Sequence, residues 1–164
     1  MTRFYTPILA ALVLILYYLT AGASAHGASQ VETKIVRVQL TGYCPCEKCC
    51  GKWALQAPKT RKTAAGRSPF VADGVAGDPN VFPYGTRFFI EFQGIGERVM
   101  DDRLATWVIK KDIKEGRKHL DVRIVIKRPD GTVDLEASHE RARAISNEMH
   151  DILVYLPKPK GDKS

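Results

Sequence analysis

The chain has 164 residues, with 25 Lys and Arg against 18 Asp and Glu and a formal charge of +7. That length accommodates one domain with one core, and the aromatic residues are not interleaved with the basic ones as a nucleic-acid stacking platform requires. The positive balance suits an anionic envelope polymer, and plain solubility equally well.

Taken in order, Arg3, the apolar run 8–19 and Ala23-Ser24-Ala25 have the layout of a cleavable secretory signal over residues 1–25. The run is shorter than the ~20 residues of a spanning helix, so no permanent membrane anchor is expected. Cleavage then leaves a mature chain in the periplasm, at the outer membrane or outside the cell. Residues 26–33 are small or polar and read as a linker. In 34–41, Val36, Val38 and Leu40 alternate with Arg37, Gln39 and Thr41, the period of a half-buried strand.

Residues 51–77 hold few apolar anchors, chiefly Trp53, Leu55, Phe70 and Val71, and read as a long loop with a small-residue turn at Thr63-Ala64-Ala65-Gly66. Asp78-Pro79-Asn80 and Pro83-Tyr84-Gly85 make two more turns. Alternation returns in 86–92 and, after Gly94 and Gly96, in 97–100, which together predict a hairpin. The lysine-dense stretch 104–118 has room for a short helix and reads mainly as a solvated face. In 119–128, Leu120, Val122, Ile124 and Ile126 oppose Asp121, Arg123 and Lys127, and Asp130-Gly131 signals a hairpin turn into 132–135. Ser138 is placed to cap a helix running to Met149, with Ala142, Ile145 and Met149 along one stripe. A buried strand at 152–156 stops at Pro157, and the charged tail 158–164 is expected to be disordered. The whole predicts a mainly β domain over 34–157, a small closed barrel with one short C-terminal helix.

Cys44, Cys46, Cys49 and Cys50 fall within seven consecutive residues. In an oxidising compartment disulfides are the default, crossing between Cys44 or Cys46 and Cys49 or Cys50 and requiring no cofactor. A tetrahedral zinc site competes, but a single loop is cramped beside the usual separated knuckles. A reactive thiol is the third choice, and neither His26, His119, His139 nor His150 stands at a recognisable spacing to activate it. No serine-nucleophile motif occurs.

Chemistry then falls to carboxylates. Strand and turn logic brings Asp78, Asp102 and Asp121 to one end of the barrel. Asp78 opens an Asp-Pro turn, Asp102 ends a strand with Asp101 as a rival for its role, and Asp121 sits inside a strand, where Asp is disfavoured. Clustered carboxylates raise at least one pKa and leave an acid beside an ionised base, the pairing that glycosidic cleavage uses. One carboxyl suffices where the sugar's own hydroxyl is the nucleophile.

Several pieces, in this order, resemble the 3D (three-aspartate) domain of bacterial envelope proteins. They are Thr41-Gly42-Tyr43-Cys44-Pro45-Cys46 with Cys49-Cys50-Gly51-Lys52-Trp53-Ala54, then Thr63-Ala64-Ala65-Gly66, Val75-Ala76-Gly77-Asp78-Pro79 with Phe82-Pro83-Tyr84-Gly85-Thr86, Val99-Met100-Asp101-Asp102-Arg103, His119-Leu120-Asp121-Val122, Ser138-His139-Glu140-Arg141-Ala142 and Val154-Tyr155. The resemblance implies a six-stranded double-psi β-barrel, related to membrane-bound lytic transglycosylase A and rare lipoprotein A. It also implies a groove for peptidoglycan glycan strands and cleavage that leaves a 1,6-anhydro end. By position it makes Asp121 the acid/base and Asp102 its electrostatic partner. Asp78 and Thr63 shape the groove, and Gly66 and Arg103 stand as further substrate contacts. Between its last two aspartates the family often has a short Gly-Gly-x-Ile-Lys-Gly-like turn, where this chain has the longer, basic 103–120. The alternatives are a non-catalytic glycan-binding barrel and a metal- or redox-responsive cysteine protein.

Overall fold

A computed structural model describes residues 32–145 and 147–156. The expected signal, most of the linker and the charged tail lie outside the described residues. Among the described residues eight strands and three α-helices follow one another: β1 (Glu32–Tyr43), α1 (Glu47–Cys50), β2 (Gly74–Gly77), β3 (Arg87–Ile90), β4 (Gly96–Arg103), α2 (Thr106–Glu115), β5 (His119–Arg123), β6 (Ile126–Lys127), β7 (Val133–Asp134), α3 (Leu135–Arg143) and β8 (Glu148–Leu156). Six of the strands close into a barrel in the order β1-β5-β2-β4-β3-β8. β1 runs parallel to β5 and β2 parallel to β4, and these two parallel pairs meet at the antiparallel contact between β2 and β5. The six-stranded mixed barrel is therefore the one expected.

Alternation builds its interior. Val38 and Leu40 of β1, Phe88 and Ile90 of β3, and Leu120 and Val122 of β5 are fully buried and meet Val75, Met100, Ile152 and Val154 in one cluster. The inward period of two leaves the intervening residues on the outer face, which on β5 means His119 and Asp121, with Arg123 on the same side covered by the chain around Val71. The predicted hairpin is β3–β4, and Asp130-Gly131 turns β6 into β7.

Three expectations change. β2 lies inside what reads as a loop; all four of its residues are buried, so it has no alternation to display. The C-terminal helix starts earlier and ends sooner than 138–149. Asp134 caps it, accepting from the Ala137 amide at 3.0 Å, while Ser138 is buried, donating to the Asp134 carbonyl and accepting from the Ile126 amide. Met149 belongs to β8, whose pairing with β1 begins at Leu40–Glu148 and overrides the helical period. The basic stretch 104–118 contains α2, so the C-terminal helix is not alone. Leu104 and Ile109 pack on Ala76 outside the barrel. No helix among the described residues is long and apolar enough to cross a membrane.

Candidate active site

Pairing register places four side chains in one rank across the outer face. Thr41 on β1 pairs with Asp121 on β5, Asp121 with Ala76 on β2, and Ala76 with Asp102 on β4. Ala76 is the small residue between the two aspartates. A β-bulge makes this rank: the register with β2 passes from Met100 to Asp102 and skips Asp101. Such an extra residue re-aims its neighbours, and here it sends the two adjacent aspartates to different places.

Asp101 turns into the fold, where it is 1% exposed and takes both ends of the Arg123 guanidinium, at 3.0 and 2.6 Å. Arg123 is itself fully buried and also donates to the Val71 carbonyl. Gly74 makes the room, since a Cβ there would lie 1.8 Å from the guanidinium. Arg67 completes the network, bonding Asp101 and Asp73. Asp101 is thus a structural ion pair, which settles its rivalry with Asp102.

Asp102 accepts three hydrogen bonds, from the Tyr43 hydroxyl at 3.0 Å, the Ala64 amide at 3.1 Å and its neighbour Arg103's amide at 2.9 Å. Three donors thus converge on its two oxygens. Burial foremost, then the charge of Asp102, holds the Tyr43 phenol well above its usual range, so it stays a donor.

Asp121 is set differently. Its one hydrogen-bond partner among the described residues is the Thr41 hydroxyl, 2.8 Å from Oδ1. Burial pushes its carboxyl up to about 6; the Thr41 bond opposes the rise and the Asp102 charge adds to it. Behind Thr41 stands His119, with Nε2 2.8 Å from the same hydroxyl and Nδ1 3.2 Å from Asp112 of α2. Burial lowers the His119 pKa against the pull of Asp112, which favours a neutral ring with its proton on Nδ1. Asp112 is anchored by Arg117. The long basic segment between the last two aspartates therefore buttresses Asp121 through three side chains.

A groove of about 610 Å³ opens over the rank. Asp102 and Asp121 line it, with Thr63 and Arg103 of the expected contacts and Trp53, Lys62 and Trp107 beside them. Thr63 is buried and closes a turn: its hydroxyl accepts from the Arg67 amide, and Gly66 takes φ +79° and donates to its carbonyl. Gly66 shapes that turn and does not line the groove; the contact falls to Ala64, whose amide reaches Asp102. Asp78 is a correction. Its Oδ1 accepts from the Asn80 amide and side chain, an Asx-turn, and it lines a separate cavity of about 30 Å³ with Asp112 and His119.

The cysteines correct a second expectation: all four are free. Cys44 and Cys46 sulfurs are 2.9 Å apart and Cys44 and Cys49 3.6 Å, beyond the ~2.05 Å of a disulfide. His139 Nδ1 of α3 faces all three, at 3.9 Å from Cys44, 3.5 Å from Cys46 and 3.3 Å from Cys49. These four ligand atoms lie within 4.8 Å of one another, a group that could hold a metal ion. Cys50 points away and donates to the Cys44 carbonyl; burial, then the Cys49 charge, pushes its thiol up to about 12.

No family model matches the chain, and no curated protein matches it.

His119 and His139 escaped the sequence because their partners are 78 and 90–95 residues distant. Period two on β5 does put His119 on the face of Asp121, the one signal available. Trp107 and Tyr43 carried no local signal of a site.

Proposed function

We propose that this protein is an exported enzyme that cleaves peptidoglycan glycan strands by the lytic transglycosylase route. The observation that carries this reading is the pair of unlike carboxylates over one open groove, Asp121 half-buried and poised near 6, Asp102 ringed by donors. The resemblance to the 3D domain points the same way.

In its acid form Asp121 donates to Thr41, Thr41 to His119 Nε2, and His119 Nδ1–H to Asp112, so every donor has an acceptor. On substrate binding the Asp121 proton turns from Thr41 to the glycosidic oxygen and is transferred as the bond from that oxygen to the N-acetylmuramic acid C1 breaks. The positive charge growing at C1 faces the Asp102 carboxylate. The sugar's C6 hydroxyl then attacks C1 and returns a proton to the ionised Asp121, closing the 1,6-anhydro ring without water. Between the two transfers Thr41 swings its hydroxyl proton from His119 to Asp121. Trp53 and Trp107 offer apolar faces for sugar rings, and Lys62 and Arg103 offer charge to the polymer's carboxylates.

Mature protein incubated with insoluble peptidoglycan should release anhydro-muropeptides detectable by mass, and Asp121→Asn should abolish them. Binding of the polymer with no release by the wild-type protein would instead assign a non-catalytic glycan-binding barrel.

A further inference from the structure

We propose that Cys44, Cys46, Cys49 and His139 form a structural zinc centre that clamps α3 onto the loop after β1. Packing explains why the four meet. A Cβ on Gly42 would lie 2.5 Å from the Ala142 carbonyl, so glycine there lets α3 press directly on β1. His139 is three residues earlier on the same helix, hence on the same face one turn back. That turn lies over the residues following Gly42 and Tyr43, which are the cysteines. Cys46 is the N-cap of α1, whose single turn brings Cys49 back toward Cys44.

The distances suit one ion. A tetrahedron with zinc–sulfur bonds of ~2.3 Å and a zinc–nitrogen bond of ~2.0 Å has edges of about 3.5–3.8 Å. The measured sulfur-to-nitrogen separations are 3.3, 3.5 and 3.9 Å and the Cys44–Cys49 separation 3.6 Å. Cys44 and Cys46, at 2.9 Å, must part by somewhat less than 1 Å, and Cys46 and Cys49 lie within 4.8 Å of each other. The donor set chooses the metal, since thiolates with one imidazole favour zinc over magnesium or calcium. Four protein ligands leave no open position, which marks a structural site and not a catalytic one. Disulfide pairing would leave unexplained both the imidazole directed at three sulfurs and Cys50, whose thiol is turned to the Cys44 carbonyl. A cleft of about 410 Å³ between Lys48 and Arg143 reaches Cys46 and His139 from solvent and gives the ion an entry path. Binding displaces the thiol protons of the three cysteines to solvent. The clamp also fixes the groove wall that Cys49 and Cys50 form, but it stands without the glycan-cleaving reading.

Elemental analysis of the full mature chain, purified under reducing conditions and loaded with zinc, should find one zinc per chain. Cobalt loaded in its place should show the intense visible bands of a tetrahedral thiolate site. Cys46→Ser and His139→Ala should each weaken zinc by more than ~100-fold, while Cys50→Ser retains wild-type affinity. Less than about 0.1 zinc per chain after loading, a weak six-coordinate cobalt spectrum, a mass four hydrogens low from two disulfides, or equal zinc loss in Cys50→Ser and Cys46→Ser would each overturn the proposal. The wild-type cobalt spectrum decides even if a ligand variant fails to fold.

Discussion

Asp101 is fully and Asp121 partly withdrawn from water, on strands separated in the barrel only by β2, and the protein treats them in opposite ways. Asp101 meets a buried guanidinium end-on and a second arginine beside it. Asp121 meets one hydroxyl and, across the groove, another negative charge. The first arrangement makes a charge permanent and holds the barrel wall and the Arg67 turn together. The second leaves a charge expensive enough that a proton can come and go near neutral pH. A compensated carboxylate is scaffold; an uncompensated one is available for chemistry.

Removing the compensation should give the largest effect. Arg123→Met strands Asp101 without its main partner, and loss of about 3–5 kcal/mol in denaturant unfolding is expected, as for other broken buried pairs. Asp121→Asn runs the other way. Activity on peptidoglycan should fall by about 10²–10⁴-fold, while stability at pH 7 rises by up to about 3 kcal/mol. The sign follows from the raised pKa: the folded protein holds the Asp121 proton more tightly than the unfolded chain, so wild-type stability falls as pH climbs from about 4 through about 6. Asparagine has no proton to lose, so the gap between variant and wild type should close at pH 4.

Thr41→Val breaks the link between Asp121 and His119. A roughly tenfold drop in kcat with KM little changed is expected, and a dominant effect on KM instead would demote Thr41 to substrate contact. The smallest effect belongs to Asp78→Ala, which should cost up to about 1 kcal/mol from the lost turn bonds and leave activity within about twofold.

Much of the barrel was legible because its strands have one covered face. Val36, Val38 and Leu40, or Phe88 and Ile90, announce themselves by period. β2 did not, because Gly-Val-Ala-Gly is short and covered on both sides. Asp121 was legible as an anomaly within a strand, but its partner was not, since choosing Asp102 over Asp101 needs the bulge that turns one inward. Asp78 misled because an Asp-Pro turn reads the same whether or not it faces a ligand. The cysteines misled for a different reason: their fourth companion is a helix away in space and 90 residues away in sequence from Cys49.

Carbon-13 NMR titration of the Asp121 carboxyl, in wild type and in Asp102→Asn, reads the coupling of the two carboxylates directly. A midpoint near 6 is expected in the wild type, moving down when the Asp102 charge is removed and remaining above the ordinary value because burial is the larger cause. A midpoint near 4, unmoved by Asp102→Asn, would contradict that coupling.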